Sequence, residues 1–499
     1  MAAAALVLTA CSKSDDSPDP KPTSKPTPTP TAEPAAFWSQ EVVWEECDAA
    51  KEAECATVEA PLNWDAEEGE LIELALARVK ATNPDERIGS LLINPGGPGG
   101  SGILHLPSTV SRLSDEVKAR YDIVGFDPRG VGASSAVECY TTTEELDEYF
   151  GSYWPANAEG YESSRAVFEP WAEACAENTG PLLGHVDTVS SAKDVELLRH
   201  LLGDEQLNWL GYSYGTQLGA TYAELFPDKV GRFVLDGAVD PSLSAQEASI
   251  QQAAGFEAAV GDFIDYCLDA SACPFDGTKE EALAALHQFL LDVEEEPLPA
   301  MLGGGRELTL PLAFNGIAVA MYDEAFWFIE VMALQQAIET GDGSALMTLS
   351  DAYLSREGGK YTNNMMVAFM AINCLDARAP SDLPSVEAQA AALKAAAPTL
   401  GEFWGYGEMG CAVWPYPQTG DPHPVSAPGA GPILVIGTTG DPATPYRWAE
   451  ALASQLESAV LLTYEGTGHT AYGRSNECVD QAVDAYLLEG TVPQAGLTC

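Results

Sequence analysis

The chain has 499 residues, and its 24 Lys+Arg face 75 Asp+Glu, so the net charge is 24 − 75 = −51. That excess of acid excludes nucleic acid, whose phosphates need Lys and Arg, and an anionic membrane surface as the main docking partner. Hydrophobic residues still make up 46 % and aromatics 9 %, enough for large cores, and no run of about 18 apolar residues predicts a spanning helix.

The N-terminus reads as an address. Residues 1–10 are MAAAALVLTA and Cys11 follows. An apolar stretch ending in small residues fits a secretion signal, though the usual basic n-region is missing. Leu8-Thr9-Ala10-Cys11 resembles a bacterial lipobox, so Cys11 is the expected lipidation site. Residues 12–36 are rich in Ser, Asp, Lys, Pro and Thr and predict an extended tether. An exported protein is expected, lipid-anchored on the outer face of the cell membrane or secreted.

Eleven Cys fit that compartment. Setting Cys11 aside leaves an even ten, which reads as disulfides. Spacing does not fix the pairing. The sequential one is expected, because each bond closes a short or moderate loop: Cys47–Cys55, Cys139–Cys175, Cys267–Cys273, Cys374–Cys411 and Cys478–Cys499. A metal site finds no Cys-x-x-Cys pair, and the six His are scattered, so no metal or cofactor is expected.

From residue 37 onward, short apolar runs end in Gly or Pro signals. They predict strands over Leu71–Val79, Ser90–Asn94, Tyr121–Phe126, Leu207–Gly211, Arg232–Leu235, Pro432–Ile436 and Val460–Tyr464. Helical patterns at Ser191–Leu202 and Thr216–Phe226 lie between them. Continuous apolar strands alternating with helices predict an α/β fold around a mostly parallel sheet. Between 241 and 405 the strand pattern stops, and helices are predicted over Ala245–Leu268, Lys279–Val293, Phe314–Glu339 and Ser385–Ala396. The reading is a core over 37–240, a helical lid over 241–405, and the remainder of the core over 406–499.

Gly211-Tyr212-Ser213-Tyr214-Gly215 matches G-x-S-x-G between a strand and a helix, the setting of a nucleophile elbow. A serine hydroxyl needs a base, and the base needs an orienting acid. Asp441 follows the strand at 432–436, and His469 follows the strand at 460–464, in the order Ser, Asp, His. His105 competes as a base because it lies close behind a glycine loop. That loop, Asn94 to Gly102, follows a strand and lets backbone N–H groups approach a reacting oxygen; Gly97 and Tyr214 are the expected oxyanion donors. A phosphate loop would need a Gly-Lys-Ser/Thr ending, which is absent. Arg129, in Asp127-Pro128-Arg129-Gly130, is expected to tie loops together near the site.

The set GGPGGSG, FDPRGVGAS, GYSYGT, LDGAVDP, TTGDPATP and GTGHTAYG resembles the α/β-hydrolases related to tripeptidyl aminopeptidases and proline iminopeptidases, over roughly residues 40–499. The resemblance implies an α/β-hydrolase fold and a serine peptidase removing short peptides from free N-termini. Ser213 would be the nucleophile, Asp441 the orienter, His469 the base, and Gly97 with Tyr214 the oxyanion donors. A carboxylesterase on the same triad is the alternative, and a non-catalytic surface binding protein a further one. The partner is then a peptide with a free N-terminus, and the chain a monomer. An ammonium group calls for a facing carboxylate; Asp323, Glu324, Glu330 and Asp376 are candidates. Thr444 is placed to hydrogen-bond Asp441 or to cap the following helix.

Overall fold

A computed structural model describes residues 36–152, 158–377, 380, 382–404 and 409–499. The expected signal segment, Cys11 and the tether as far as residue 35 lie outside the described residues. Seven strands precede the helical insertion: β1 (Glu45–Glu46), β2 (Ala53–Pro61), β3 (Leu71–Val79), β4 (Gly89–Asn94), β5 (Tyr121–Phe126), β6 (Leu207–Tyr212) and β7 (Val230–Asp236). Two small hairpins lie within the insertion, β8 (Leu298–Pro299) with β9 (Glu307–Leu308) and β10 (Arg356–Glu357) with β11 (Lys360–Tyr361). After it come β12 (Ile433–Gly440), β13 (Ala459–Thr467) and β14 (Leu497–Thr498).

Ten strands form one sheet in the order β1-β2-β3-β5-β4-β6-β7-β12-β13-β14. From β5 to β14 neighbours run parallel, while β1, β2 and β3 pair antiparallel and β3 joins β5 antiparallel. Strand order reverses around β4 and β6, the position at which open α/β sheets expose loops for a site. Alternation along the central strands sends side chains to two faces. Phe233, Leu235, Ile433 and Val435 enter one core, and Val234, Leu434, Ile436 and Leu210 the other. Both faces are therefore covered, which is why these strands read as continuous apolar runs.

β2 has no counterpart among the predicted strands. Its sequence AECATVEAP is rich in Ala and Glu, poor strand formers, and only part of it is buried. Its partner β3 matches the predicted bounds but is antiparallel rather than part of the parallel run.

The insertion leaves the sheet after β7. Its helices Ala245–Asp269, Lys279–Glu295, Leu310–Ala320, Trp327–Thr340 and Ser344–Tyr353 share a core of their own, including Phe263, Leu286, Ile317 and Leu334. The first two open with capping boxes, Ser244 with Glu247 and Thr278 with Glu281. The helix Met365–Asp376 instead packs Val367, Ala371 and Leu375 into the main core. One prediction is corrected here: the apolar run Phe314–Glu339 is two helices, broken at Met321-Tyr322-Asp323, where Asp323 caps a short turn by accepting from the Ala325 N–H.

Among the described residues, five disulfides join Cys47–Cys55, Cys139–Cys175, Cys267–Cys273, Cys374–Cys411 and Cys478–Cys499. Such bonds belong to an oxidising compartment. Among the described residues, no helix is long and apolar enough to cross a membrane.

Candidate active site

Ser213 sits between β6 and the helix Tyr214–Leu225 with φ 55° and ψ −125°. A non-glycine residue in that region is strained by about 1–3 kcal/mol and persists only where its surroundings fix it. They do so tightly. The Ser213 N–H donates to the Asp236 carbonyl at 2.9 Å, and the Ser213 carbonyl accepts from Thr216 N–H and Oγ1. The flanking glycines are required by space: a Cβ on Gly215 would lie 2.7 Å from the Asn94 carbonyl, and one on Gly211 would meet the Gly215 carbonyl.

Asp441 leaves the end of β12, and His469 lies just past β13. The imidazole Nδ1 lies 3.0 Å from both carboxylate oxygens of Asp441. Asp441 also accepts from the Ala443, Thr444 and Thr470 N–H groups and from Thr444 Oγ1 at 2.9 Å. With its lone pairs so occupied, it holds one orientation. Thr444 Oγ1 is 3.3 Å from His469 Nδ1. The following helix begins only at Tyr446, behind Pro445, so Thr444 bonds the Asp441 carboxylate and does not cap that helix.

Ser213 and His469 converge on the end of β7. Asp236 holds the elbow through its carbonyl, and a Cβ on Gly237 would stand 3.2 Å from His469 Cε1. Ser213 Oγ has no hydrogen bond to His469 in the resting geometry among the described residues; such bonds often tighten only with substrate bound. The Asp236 carboxylate, fully buried, accepts from Ala471 N–H at 3.0 Å and Tyr472 N–H at 2.8 Å, so it pins the loop carrying His469. Burial pushes its pKa up to about 6. Sequence reasoning missed Asp236, although it stands in the quoted segment LDGAVDP.

The glycine loop lies against the elbow. A Cβ on Gly96 would be 2.8 Å from Ser213 Cβ, and Gly96 has φ 96°. The N–H groups of Gly97 and Tyr214 have no acceptor among the described residues, as oxyanion donors must. Behind the loop, Ser101 Oγ donates to Asp127 Oδ1 at 2.5 Å. Arg129 is wholly buried and pairs with Asp194 at 2.6 Å through two nitrogens, while also donating to the carbonyls of Pro61, Leu62 and His185. It ties loops and does not line the cleft. His105 Nδ1 meets the Ser101 carbonyl at 2.9 Å, within its own helix.

A cavity of about 530 Å³ opens at Ser213 and Gly97 and runs along one face of the following helix, past Gln217 to Glu224, under Trp404 and Asp376 from the insertion side. Of the four carboxylates predicted to face the substrate, Asp376 lines it. Asp323 is taken up by its turn and lies 3.7 Å from Arg474, and Glu324 is exposed on the short turn beyond. Glu330 is fully buried within the insertion, neither oxygen has a hydrogen-bond partner among the described residues, and burial holds its pKa well above the carboxylate range. Periodicity placed Asp323, Glu324 and Glu330 on one long helix, and the break at 321–323 redirects them. Asp376 accepts from Thr188 N–H at 2.9 Å and Thr188 Oγ1 at 2.5 Å, and Thr188 Oγ1 meets the Tyr214 hydroxyl at 2.6 Å. Burial pushes Asp376 up to about 7.

Strand order, elbow and loop positions together define a serine hydrolase of the α/β-hydrolase fold. A family model described as TAP-like protein matches residues 397–499. The chain is 37 % identical over 455 residues to serine protease Hip1 of Mycobacterium tuberculosis, covering 89 % of this chain and 87 % of that protein. It is 37 % identical over 459 residues to carboxylesterase B of the same species, covering 90 % and 86 %. Tripeptidyl aminopeptidase of Streptomyces lividans is 31 % identical over 470 residues, covering 91 % and 86 %. The chain belongs to this family of TAP-like serine hydrolases.

Proposed function

We propose that this protein is an exported serine aminopeptidase that releases short peptides from free N-termini. The observation that carries the reading is the cavity that starts at Ser213 and has a carboxylate, Asp376, in its wall. Ser213 attacks the scissile carbonyl as His469 takes its proton, and Asp441 holds the imidazole and balances the imidazolium. The oxyanion is received by the Gly97 and Tyr214 N–H groups. His469 then protonates the leaving amine, and water hydrolyses the acyl-enzyme. Asp376 receives the substrate ammonium; a cation there favours its ionised form and adds a charge-assisted hydrogen bond. Attachment through a lipidated Cys11, or secretion, would place this chemistry outside the cell.

A carboxylesterase is the second reading, supported by the relative named carboxylesterase B at 37 % identity. A substrate panel separates the two. Tripeptide amides with free and acetylated N-termini are compared with simple esters, with Ser213→Ala as the blank. The peptidase reading expects cleavage of the free peptides and a large loss on acetylation. Ester turnover with no peptide cleavage would establish the alternative.

A further inference from the structure

The broken helix of the insertion lies over His469. The helix Leu310–Ala320 ends at its C-cap Met321, so the Tyr322 carbonyl faces no following helical turn. It accepts the His469 backbone N–H at 2.9 Å. The Tyr322 ring meets the imidazole edge to face, with centroids 5.4 Å apart and planes at 83°. The adjoining Gly468, at φ 91°, makes that approach possible: a Cβ there would stand 2.9 Å from the Tyr322 carbonyl and against the Arg474 guanidinium. Arg474 itself donates to the Thr470 carbonyl at 2.6 Å and faces Asp323 at 3.7 Å. Two residues of the insertion thus hold the histidine loop from above, while Asp236 and Asp441 hold it from the sheet. Behind Tyr322 the rings continue to Phe256 at 5.6 Å and on to Trp404 at 5.5 Å, and Trp404 lines the cavity.

We propose that Tyr322 is a positioning residue for His469, so that the insertion takes part in the chemical step and not only in enclosing substrate. The inference rests on the reading of His469 as the base. The physical reason is angular. Asp441 fixes one ring nitrogen, yet the ring still turns about that bond unless a second surface stops it. Rates fall by about 100-fold for misplacements near 1 Å.

The test uses a small fluorophosphonate, which reacts with an activated serine without filling the peptide cleft. Tyr322→Ala is expected to slow labelling of Ser213 by about 10- to 100-fold and to lower kcat for peptide or ester by a similar factor, with KM changed by less than about threefold. Tyr322→Phe retains the ring and the carbonyl and is expected to label within about threefold of wild type. Unchanged labelling in Tyr322→Ala, with a rise in KM alone, would overturn the proposal in favour of a substrate contact. So would a Tyr322→Phe variant as slow as Tyr322→Ala, which would assign the effect to the phenol. Should Tyr322→Ala fail to fold in a thermal melt, Tyr322→Leu carries the same comparison: slow labelling supports the proposal and wild-type labelling overturns it. Failure of the aminopeptidase reading shows elsewhere, in a wild type that labels but leaves peptides intact. A wild type that does not label at all removes the triad itself.

Discussion

Two aspartates at the candidate site have different environments. Asp376 is held near 7 by burial, with Thr188 donating to it, the Tyr214 hydroxyl behind Thr188, and the charge of Asp187 adding to the upward push. If it receives the substrate ammonium, binding improves as pH rises through about 7 and declines once the α-amino group loses its proton, near 8. The ratio of kcat/KM for a free-amine peptide to that for a neutral ester is therefore expected to climb between pH 5.5 and 7.5, in steps of roughly half a unit. The ester cancels the pH dependence of the triad. Asp376→Asn is expected to flatten the ratio; a slope that survives would remove Asp376 from the amine site. Asp236 supplies the second residue-scale prediction. In Asp236→Asn an amide N–H₂ meets the Ala471 or Tyr472 donor, at a cost of about 1–3 kcal/mol. The native carboxyl has its pKa raised from 3.8 to about 6, so its own contribution is largest below about 4 and is lost as pH rises through about 6. The Tm deficit of the variant is accordingly expected to shrink between pH 4 and pH 7, which differential scanning calorimetry would follow. Neither residue was legible by type alone among 75 acidic side chains.

At the scale of elements, the loops of the candidate site were readable because each follows a strand whose apolar run is unbroken. The elbow, the Asp441 turn and the His469 turn all lie at the carboxyl ends of β6, β12 and β13. The insertion was readable as helical but not in its joints. Helical periodicity runs through 314–339, and the capping Asp323 does not stand out among so many acidic residues; the interruption serves a contact with a residue some 150 positions later. The Cys374–Cys411 bond, by contrast, is the one that sequential pairing predicts. It ties the end of the helix carrying Asp376 to the helix Met409–Ala412 and closes a separation of 37 residues. Replacing both cysteines by Ser is expected to lower stability by roughly 3–4 kcal/mol on chain-entropy grounds and to weaken discrimination between free and acetylated peptides more than ester turnover. A thermal melt with the substrate panel reads both effects.

For the molecule as a whole, the net charge of −51 surrounds a cleft whose own wall includes Asp376 and Glu224. A cationic N-terminus approaches through an attractive field that salt screens over about 8–10 Å. Association-limited cleavage of cationic peptides is expected to slow several-fold between 20 mM and 500 mM NaCl by stopped-flow assay, whereas hydrolysis of a neutral ester should stay level. Equal salt dependence for both would leave the charge with no part in substrate approach. The sequence alone determined the chemistry that local order can encode: a strand, a strained turn and a helix around Ser213, and two later strand ends bearing Asp441 and His469. Only the tertiary structure decided what surrounds them. Asp236 beneath the histidine loop, Tyr322 above it and Asp376 in the cleft wall owe their places to contacts across 147 to 236 positions of chain, and no periodicity carries information over such separations.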